Sequence, residues 1–393
     1  MKIIKKGIAL CGKGIGYCVR KVSWSSLQPP SQQTPPQTPP RLSQNDIWKM
    51  WTSHDPPESE LIVRRGGQII NNDPQGYHKW EGHTDNKFGA TANVFAASCR
   101  GRSHAHNKKF RDDSFDIRYI DESGWYVLAV ADGAGSAKYS RKGSEIACRI
   151  SADIIETKIK KGEFNEEFDA DCEKIRKDSY GVTCKKSVEK FCGKHLYHIL
   201  AEACVNARNA ILEEVNAMNQ TPDQRVSERD YHTTILLTIC KKLQNSEWFI
   251  GSFGIGDGMI AYYSPGSRDL MTVTDCGDYA GETTFLTTNQ VWDVSDDPNK
   301  IIRRFKAVVV PDFTALFLMT DGVSDAIFPT EAMLDDSNTW DEFWKKLTKG
   351  EENSFSQVDF QSETAAQQLL EWLEFKVPGY HDDRTLIVLQ PNK

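Results

Sequence analysis

The sequence has no paired Cys-x-x-Cys spacing, no long apolar run and no strong excess of charge of either sign. Its 10 cysteines are scattered over 393 residues, which in a chain of this size indicates reduced thiols of an intracellular protein and not a disulfide framework. The net charge of −7 is mild and gives no general reason to expect nucleic-acid binding. No apolar run is long enough to cross a bilayer. We therefore expect a cytoplasmic protein with no nucleic-acid partner and no stable membrane insertion.

The motifs of several enzyme classes are also absent. There is no Gly-x-Ser-x-Gly, so a Ser-His-Asp hydrolase has no support. Neither CGKGIGY (11–17) nor GAGSAK (133–138) has P-loop spacing, which leaves nucleotide hydrolysis at such a loop without support. His104 and His106 stand two residues apart, but no cysteine or histidine set with zinc spacing follows them. The chemistry must come from other residue types.

Residues 1–60 differ in composition from the rest of the chain. The stretch SSLQPPSQQTPPQTPPRLS (25–43) is rich in Pro, Gln, Ser and Thr, which predicts an extended, flexible linker. The short apolar patch before it is interrupted by Lys13 and Arg20, which disfavours a signal peptide.

A short aromatic segment and a loop region follow the linker. In NDIWKMW, Trp48 and Trp51 lie three residues apart, as in one face of a helix. The segment is read either as a small helix resting on the main domain, which we prefer, or as a docking peptide for a partner. Residues 61–90 carry glycines, asparagines and Asn-Asp-Pro and are predicted to be a lead-in loop.

From residue 91 to residue 393 short apolar strands and helices predict one large domain. The predicted strands are ANVFAASC, FDIRYI, WYVLAV, TTILLTIC, WFIGSFGIG, MIAYYS, LMTVT, AVVV, TALFLMT and TLIVL. Two runs of strands are interrupted by two blocks of helix, a pattern typical of a layered α+β domain and not of a βαβ repeat.

The helical blocks are predicted from apolar spacing. The first contains Ile146, Ile150 and Ile154 at every fourth position, and a second helix runs from about 196 to 215. Between them, residues 162–192 are charged and irregular and are predicted to be an insertion. Residues 329–376 are predicted to be mostly helical.

Acidic residues stand at the edges of the predicted strands. There are five such sites: Asp112 and Asp113 in RDDSFDI, Asp132 in VADGAG, Asp257 in GIGDG, Asp321 in MTDG, and Asp382 and Asp383 in HDDRT. A single Asp-Gly pair is more often a simple turn. Five sites are harder to dismiss, because carboxylates brought together repel unless cations bind between them. The pattern therefore predicts a cation site.

Hard divalent ions fit such a site. Mg²⁺ and Mn²⁺ prefer oxygen ligands and are held by a few carboxylates. Two such ions can lower the pKa of a bound water and neutralise a phosphoryl oxygen during in-line attack. Glycine beside an aspartate lets a backbone carbonyl or a phosphate approach closely.

The ordered set RDDS, ADGAG, GDG, TDGVSD and DDRT resembles the PPM-type (type 2C) metal-dependent protein serine/threonine phosphatases. The segment SCRGRSHAHNKKFRDDSF is similar to the bacterial branch of that family, in which Gly-x-Ser-His precedes the acidic pair. The resemblance covers roughly residues 91–390. It implies a four-layer α-β-β-α sandwich of two antiparallel sheets flanked by helices, with the metals at one end.

The resemblance also implies a set of ligands and a mechanism. Asp132 would bridge two Mn²⁺ or Mg²⁺ ions, the Gly133 carbonyl would bind one of them, and Asp321 and Asp382 would complete the centre. These three aspartates would be the catalytic residues, with the metal-bridging water as nucleophile and no covalent phosphoenzyme. The implied metal ligands are Asp113, Asp132, Gly133, Asp257, Asp321 and Asp382, with Asp113 holding metal-bound waters and Asp257 helping to hold a third, weaker ion.

The sequence departs from the family pattern at several positions. Asp112 stands where many relatives have Glu, and Ala134 stands where eukaryotic relatives often have a histidine that is proposed to protonate the leaving group. Lys108 occupies the place of a phosphate-clamping arginine, and lysine lacks the bidentate fork. Arg102, Arg111 and His104 are alternative phosphate-binding candidates, and the residues alone do not choose between them.

Three functions are compatible with the sequence. The first is an active phosphatase for phosphoserine and phosphothreonine in proteins, opposing a Ser/Thr kinase and acting as a monomer. The second is a pseudophosphatase that uses the fold as a binding scaffold, and the third is a phosphatase for a small phosphoester. By resemblance, GDYAGETT (277–284) lies in a flap beside the active site, although an ordinary surface loop is the alternative.

Overall fold

The structure is a computed structural model of the chain. It describes residues 82–392 except 108, 165, 178–182, 221–224, 273–282 and 353. The linker, the NDIWKMW segment, Lys108 and most of the GDYAGETT segment lie outside the described residues, so the predictions made for them stay predictions.

Strands of the described chain form two antiparallel sheets. In chain order they are β1 (Gly82–Phe88), β2 (Ala92–Cys99), β3 (Ser114–Ile120), β4 (Trp125–Ala131), β5 (Ile235–Lys242), β6 (Trp248–Ile255), β7 (Met259–Ser264), β8 (Ser267–Leu270), β9 (Phe305–Val310), β10 (Ala315–Met319) and β11 (Arg384–Pro391). Sheet A has the order β1-β2-β11-β10-β7-β8, and sheet B has the order β3-β4-β5-β6-β9. Every ladder is antiparallel.

Helices lie between these strands in the chain. They are α1 (Arg102–His106), α2 (Ser140–Lys160), α3 (Glu166–Cys172), α4 (Lys185–Phe191), α5 (Glu202–Met218), α6 (Asn289–Trp292), α7 (Asp321–Ile327), α8 (Glu331–Asp335), α9 (Ser337–Lys349) and α10 (Ala365–Leu373). A π-helical segment, Cys192–Ala201, leads directly into α5, and short 3₁₀ turns occupy Glu173–Ile175, Glu228–Tyr231 and Ile302–Arg304.

The two sheets and the helices form four layers because the inner strands of each sheet bury both of their faces. Inward-facing residues such as Ala96 of sheet A and Leu128 of sheet B share one apolar cluster between the sheets. On the outer face of sheet B, Val127 belongs to a cluster with residues of α2 and α5. On the outer face of sheet A, Phe95 belongs to a cluster with residues of α9 and α10. The α-β-β-α sandwich of two antiparallel sheets is therefore confirmed.

The loop predicted for residues 61–90 is wrong at its end. Residues 82–88 form the edge strand β1, which pairs with β2 from Gly82↔Cys99 to Phe88↔Asn93. The sequence GHTDNKF contains Gly, Asp and Asn, which are depleted in strands, and it shows no apolar alternation. Pairing with the adjacent strand β2, and not local propensity, makes this segment extended.

Two further element predictions need correction. Strand β8 is SRDL (267–270), so the predicted strand LMTVT (270–274) overlaps it at Leu270, and residues 273 and 274 lie outside the described residues. A Tyr262–Asp269 hydrogen bond joins the polar residues of β8 to β7. The stretch 162–192 is not irregular throughout, since it contains α3 and α4. Their buried Phe168 and Phe191 rings pack on Phe249 and anchor an otherwise polar segment.

Within the part of the chain that the structure describes, none of the helices has the length and apolar character needed to span a bilayer.

Candidate metal centre

Five chain segments meet at one end of the sandwich. Asp113 directly precedes β3 and Asp132 directly follows β4, and these two strand ends are adjacent because Ser114 pairs with Ala131. On sheet A, Asp321 follows β10 and Asp382 precedes β11, and Met319 pairs with Leu386. The turn between β6 and β7 carries Asp257. Antiparallel pairing therefore collects the strand-end carboxylates that the sequence predicted.

Three carboxylates come closest together. One oxygen from each of Asp132, Asp257 and Asp321 lies within 4.8 Å of the other two, which makes this group the candidate for holding a metal among the described residues. Asp113 and Asp382 lie outside this group. The structure thus places Asp257, expected at a third and weaker ion, directly beside two of the expected core ligands.

The main chain of Asp132 is held in place by the two threonines that directly precede β5. Its N–H donates to Thr234 Oγ1 (2.8 Å), and its carbonyl accepts from Thr234 N (2.8 Å) and Thr233 Oγ1 (2.8 Å). An adjacent bridge pairs Gly133 with Thr233. These hydrogen bonds fix the main chain at the end of β4, so the Asp132 side chain is positioned by the sheet and not by a loop.

Asp113 lies outside this group but contacts one of its members, Asp132. It is fully buried, its Oδ2 accepts hydrogen bonds from Thr385 Oγ1 (2.7 Å) and Thr320 Oγ1 (2.8 Å), and it also shares a hydrogen bond with the Asp132 carboxyl. Burial, followed by the negative charge of Asp383, raises the pKa of Asp113 to about 7, although the hydrogen bonds oppose the rise. This carboxylate is ionised at neutral pH only at a free-energy cost.

The pKa values of three other carboxyl groups are also raised by burial and by neighbouring negative charges. Burial, followed by the charge of Asp321, raises the pKa of Asp132 well above its usual range. Burial, followed by the charge of Asp257, does the same to the pKa of Asp321. The pKa of Asp382 is raised by burial and then by Asp383. Because each shift reflects buried negative charges that repel one another, a cation among them would stabilise the ionised forms.

The donor set fits a hard divalent ion. All the converging side chains offer carboxylate oxygens, which suit Mg²⁺ and Mn²⁺ rather than a soft metal. In addition, Asp257 Oδ1 is buried without a hydrogen-bond partner among the described residues, and such an orphaned acceptor is costly unless something binds it. Thr283 Oγ1 donates to the other oxygen, Oδ2, at 2.5 Å.

Glycines beside the aspartates allow the backbones to touch. A Cβ on Gly133 would lie 2.7 Å from the Asp112 carbonyl oxygen and 2.8 Å from the Ser140 carbonyl carbon. A Cβ on Gly322 would run into the Asp383 carbonyl. At these positions glycine is required by close approach of main chains, whereas a Cβ on Gly135 would meet only His104 Nε2, at 3.9 Å.

Asp383 forms a buried clamp that the sequence analysis missed. Its carboxylate accepts hydrogen bonds from the N–H groups of Gly101 (2.6 Å) and Asp112 (2.6 Å) and from His104 Nδ1 (2.9 Å). His104 Nε2 lies 3.6 Å from Asp112 Oδ2. Although burial raises it, the pKa of Asp383 is lowered overall by His104 and by the two backbone donors. Asp383 therefore ties three segments together beneath the site.

The clamp also locates His104, one of the phosphate-binding candidates, and Asp112 of the acidic pair. His104 is buried between two carboxylates, so its ring is occupied in holding Asp383 and Asp112. The Asp112 carbonyl accepts a hydrogen bond from Ser144 Oγ at the start of α2. In this structure His104 therefore contacts carboxylate side chains, whereas the main chain of Asp112 is fixed by Asp383 and Ser144.

The cationic candidates differ in exposure. Arg111 is buried, and its guanidinium donates to the Ser98 carbonyl at 2.6 Å. Arg102 is exposed at the start of α1. Lys109, which the sequence analysis did not single out, is exposed and its Nζ lies 3.4 Å from the Gly135 carbonyl in the DGAG segment. Lys108 lies outside the described residues.

Similarity to known proteins identifies the family of this chain. Residues 100–374 match the family model described as protein phosphatase 2C. The chain belongs to the protein phosphatase 2C family. It is therefore an enzyme of the serine/threonine phosphatase class, and the resemblance drawn from the five motifs is confirmed.

Solved structures of the protein phosphatase 2C type are among the similar folds. The catalytic domain of the serine threonine protein phosphatase PstP with two manganese ions is 16% identical, with 77% of this chain and 99% of that chain covered and a TM-score of 0.40. RsbX in complex with magnesium is 13% identical, with coverages of 79% and 100% and a TM-score of 0.38. The phosphatase domain of SpoIIE from Bacillus subtilis is 14% identical, with coverages of 80% and 95% and a TM-score of 0.33. No curated protein sequence matches the chain significantly.

Several residues of this phosphatase 2C site were visible in the sequence without being recognised. Thr320 directly precedes Asp321, and Thr385 is the last residue of the Asp-x-x-Thr motif, yet both donate to Asp113. A hydroxyl residue placed beside a strand-end aspartate was the available signal. Asp383 carried no such signal, because its neighbour Asp382 has the same side chain.

Proposed function

We propose that the chain hydrolyses phosphoserine and phosphothreonine in proteins with the help of Mn²⁺ or Mg²⁺. The observation that carries the proposal is the 4.8 Å grouping of carboxylate oxygens from Asp132, Asp257 and Asp321, three segments distant in sequence. The membership in the phosphatase 2C family supports the same reaction. The proposed ligands are the side chains of Asp113, Asp132, Asp257, Asp321 and Asp382 and the carbonyl of Gly133.

The proposed arrangement has two core ions and a third. Asp132 would be shared by the core pair, Asp321 and Asp382 would complete it, and Asp257 would hold the third. When bound, such ions supply a water of lowered pKa as the nucleophile and neutralise charge on the phosphoryl group. Asp113 and the sheet ends then serve to hold the ligands in one geometry, which a rigid β scaffold does better than loops.

The partners follow from the proposed reaction. We propose a phosphoprotein substrate produced by a Ser/Thr kinase, with the protein acting as a monomer in the cytoplasm. Among the described residues the seven cysteines are free, and all but Cys184 are buried, which suits a reducing compartment. Exposed Lys109 and Arg102 are the described cations available to meet the phosphate.

Hydrolysis assays of purified full-length protein test the proposal. The substrates are p-nitrophenyl phosphate and a phosphothreonine peptide, each with Mn²⁺, with Mg²⁺ and with EDTA. Asp321→Asn removes one proposed ligand charge, and Asp312→Asn makes the same change at an exposed aspartate before β10, at the other end of that strand. We expect metal-dependent turnover that Asp321→Asn lowers by at least about 100-fold and that Asp312→Asn leaves unchanged.

The outcomes separate the alternatives. Turnover of p-nitrophenyl phosphate and small phosphoesters without turnover of the phosphopeptide would favour a small-molecule phosphatase. Metal binding or phosphopeptide binding without turnover would favour a scaffold. Turnover that persists in EDTA, or that Asp321→Asn does not change, would contradict the proposed metal centre.

A further inference from the structure

Three neighbouring strands of sheet A end in a row of hydroxyl side chains. Ser98 on β2 pairs directly with Thr385 on β11. Thr320 continues the row one residue beyond β10, where its N–H donates to the Thr385 carbonyl at 3.1 Å. Two residues further into the sandwich, the corresponding positions are the inward-facing apolar residues Ala96 and Ile387. Because side chains alternate along a strand, the three hydroxyls also face sheet B, at the rim of the apolar core.

This hydroxyl row, Ser98–Thr385–Thr320, is continuous and buried. Ser98 Oγ lies 2.7 Å from Thr385 Oγ1, and all three residues are at most 2% exposed. Thr385 N donates to Thr320 Oγ1 at 2.9 Å. The row crosses the gap between the sheets at Asp113, whose Oδ2 lies 2.7 Å from Thr385 Oγ1 and 2.8 Å from Thr320 Oγ1.

The direction of the hydrogen bonds in the row follows from the chemistry of its end. An ionised carboxylate only accepts hydrogen bonds, so both threonine hydroxyls donate to Asp113. Thr385 has then used its single proton, and Ser98 must be the donor in the Ser98–Thr385 contact. Every proton in the row therefore points toward the carboxylate that contacts Asp132.

We infer that Thr320 and Thr385 are positioning residues that orient the Asp113 carboxylate for metal binding. The inference rests on the proposed function, because it assigns the row a role toward the metal ions of that site. Two donors on one oxygen hold the plane of the Asp113 carboxylate, and Asp113 in turn contacts Asp132. Partners that orient a metal ligand in this way commonly contribute a factor of about 10 to 100 to metal affinity.

A set of threonine variants in the full-length chain tests the inference. Thr385→Val keeps the side-chain shape and removes the hydroxyl, whereas Thr385→Ser keeps the hydroxyl. Thr238→Val is the matched control, because Thr238 on β5 is equally buried and its hydroxyl has no hydrogen-bond partner among the described residues. The Kd for Mn²⁺ is measured by calorimetry for each protein, and the Mn²⁺ concentration for half-maximal activity is measured in parallel.

We expect Thr385→Val to weaken Mn²⁺ binding by about tenfold or more, Thr385→Ser to bind more like wild type than like the valine variant, and Thr238→Val to bind as wild type does. If Thr385→Val does not fold, Ser98→Ala, which removes only the outer donor, should give a smaller loss of affinity in the same direction. If Thr385→Val binds Mn²⁺ as tightly as wild type does, the inference is overturned while the proposed function stands. The same conclusion holds for Ser98→Ala if that variant is the one measured. Failure of wild type itself to bind Mn²⁺ would overturn both.

Discussion

Substitution by alanine should disturb the structure at Gly133 of the DGAG segment but not at Gly135. In Gly133→Ala the new Cβ would lie 2.7 Å from the Asp112 carbonyl oxygen and 2.9 Å from that of Ser140, whereas an ordinary carbon–oxygen approach is about 3.3 Å. The main chains would have to separate by about 0.6 Å. In Gly135→Ala the nearest atom lies 3.9 Å away, so nothing has to move.

The neighbours of Gly133 have little freedom to yield. Asp112 is held by its N–H bond to Asp383 and by the Ser144 hydroxyl at its carbonyl, and Ser140 begins the 21-residue helix α2. Overpacking against fixed surroundings costs about 1–3 kcal/mol. At an unfolding entropy of about 2.1 cal/mol/K per residue, one kcal/mol corresponds to roughly 1.6 °C in Tm for a domain of about 300 residues, so Gly133→Ala should lower Tm by roughly 1.5–5 °C.

The same displacement should reach the metal centre, because Gly133 follows Asp132 and carries the proposed carbonyl ligand. We expect Gly133→Ala to weaken Mn²⁺ binding by about tenfold, measured by calorimetry beside Gly135→Ala and wild type. Tm is measured by differential scanning calorimetry with EDTA present. Wild-type Tm and Mn²⁺ affinity in Gly133→Ala, or an equal loss in both variants, would refute the close-approach argument.

Three other predictions follow from the carboxylates and the clamp. Mn²⁺ at 100 times its Kd should stabilise the protein by about 2.7 kcal/mol, seen as a rise in Tm that EDTA reverses; no rise would argue against a metal site. Asp257→Asn should lower Mn²⁺ binding more than Asp312→Asn does, because only the first contributes to the 4.8 Å group; equal binding in the two variants would remove Asp257 from the ligand set. Although burial lowers it, the hydrogen bond and charge of Asp383 raise the pKa of His104 from 6.5 to about 9, so the stability from this ion pair is full below about pH 6.5 and lost as the pH rises through about 9. The difference in unfolding free energy between wild type and His104→Gln, measured by urea denaturation in EDTA, should shrink by about 3 kcal/mol over that range; a difference that does not change with pH would contradict the ion pair.

Local sequence patterns were enough to predict which aspartates belong to the candidate site. An apolar run that ends in Asp-Gly is visible within ten residues, so Asp132, Asp257 and Asp321 could be singled out without knowing the fold. The layered α+β class followed from the same runs. In the structure, antiparallel pairing brings these strand ends together, which is the arrangement in which their carboxylates would repel without a cation.

The parts that could not be predicted depend on register between distant strands. Nothing in the residues HDDRT themselves tells which of Asp382 and Asp383 faces the proposed metal centre, because adjacent residues of an extended chain point in opposite directions and the start of β11 was unknown. The pairing of Ser98 with Thr385 joins residues 287 positions apart, which no local pattern reports. Strand β1 was missed for a different reason, because its pairing with the adjacent strand β2 outweighs its polar sequence.

The position of β11 affects how the enzyme folds during its synthesis. This strand is inserted between β2 and β10, so sheet A remains split until residues 384–391 are in place, and contacts of such long range form slowly. A nascent chain emerging from the ribosome can assemble sheet B and its helices well before then. Asp382, Asp383 and Thr385 all belong to this late segment, so the proposed metal centre stays incomplete until β11 closes the sheet.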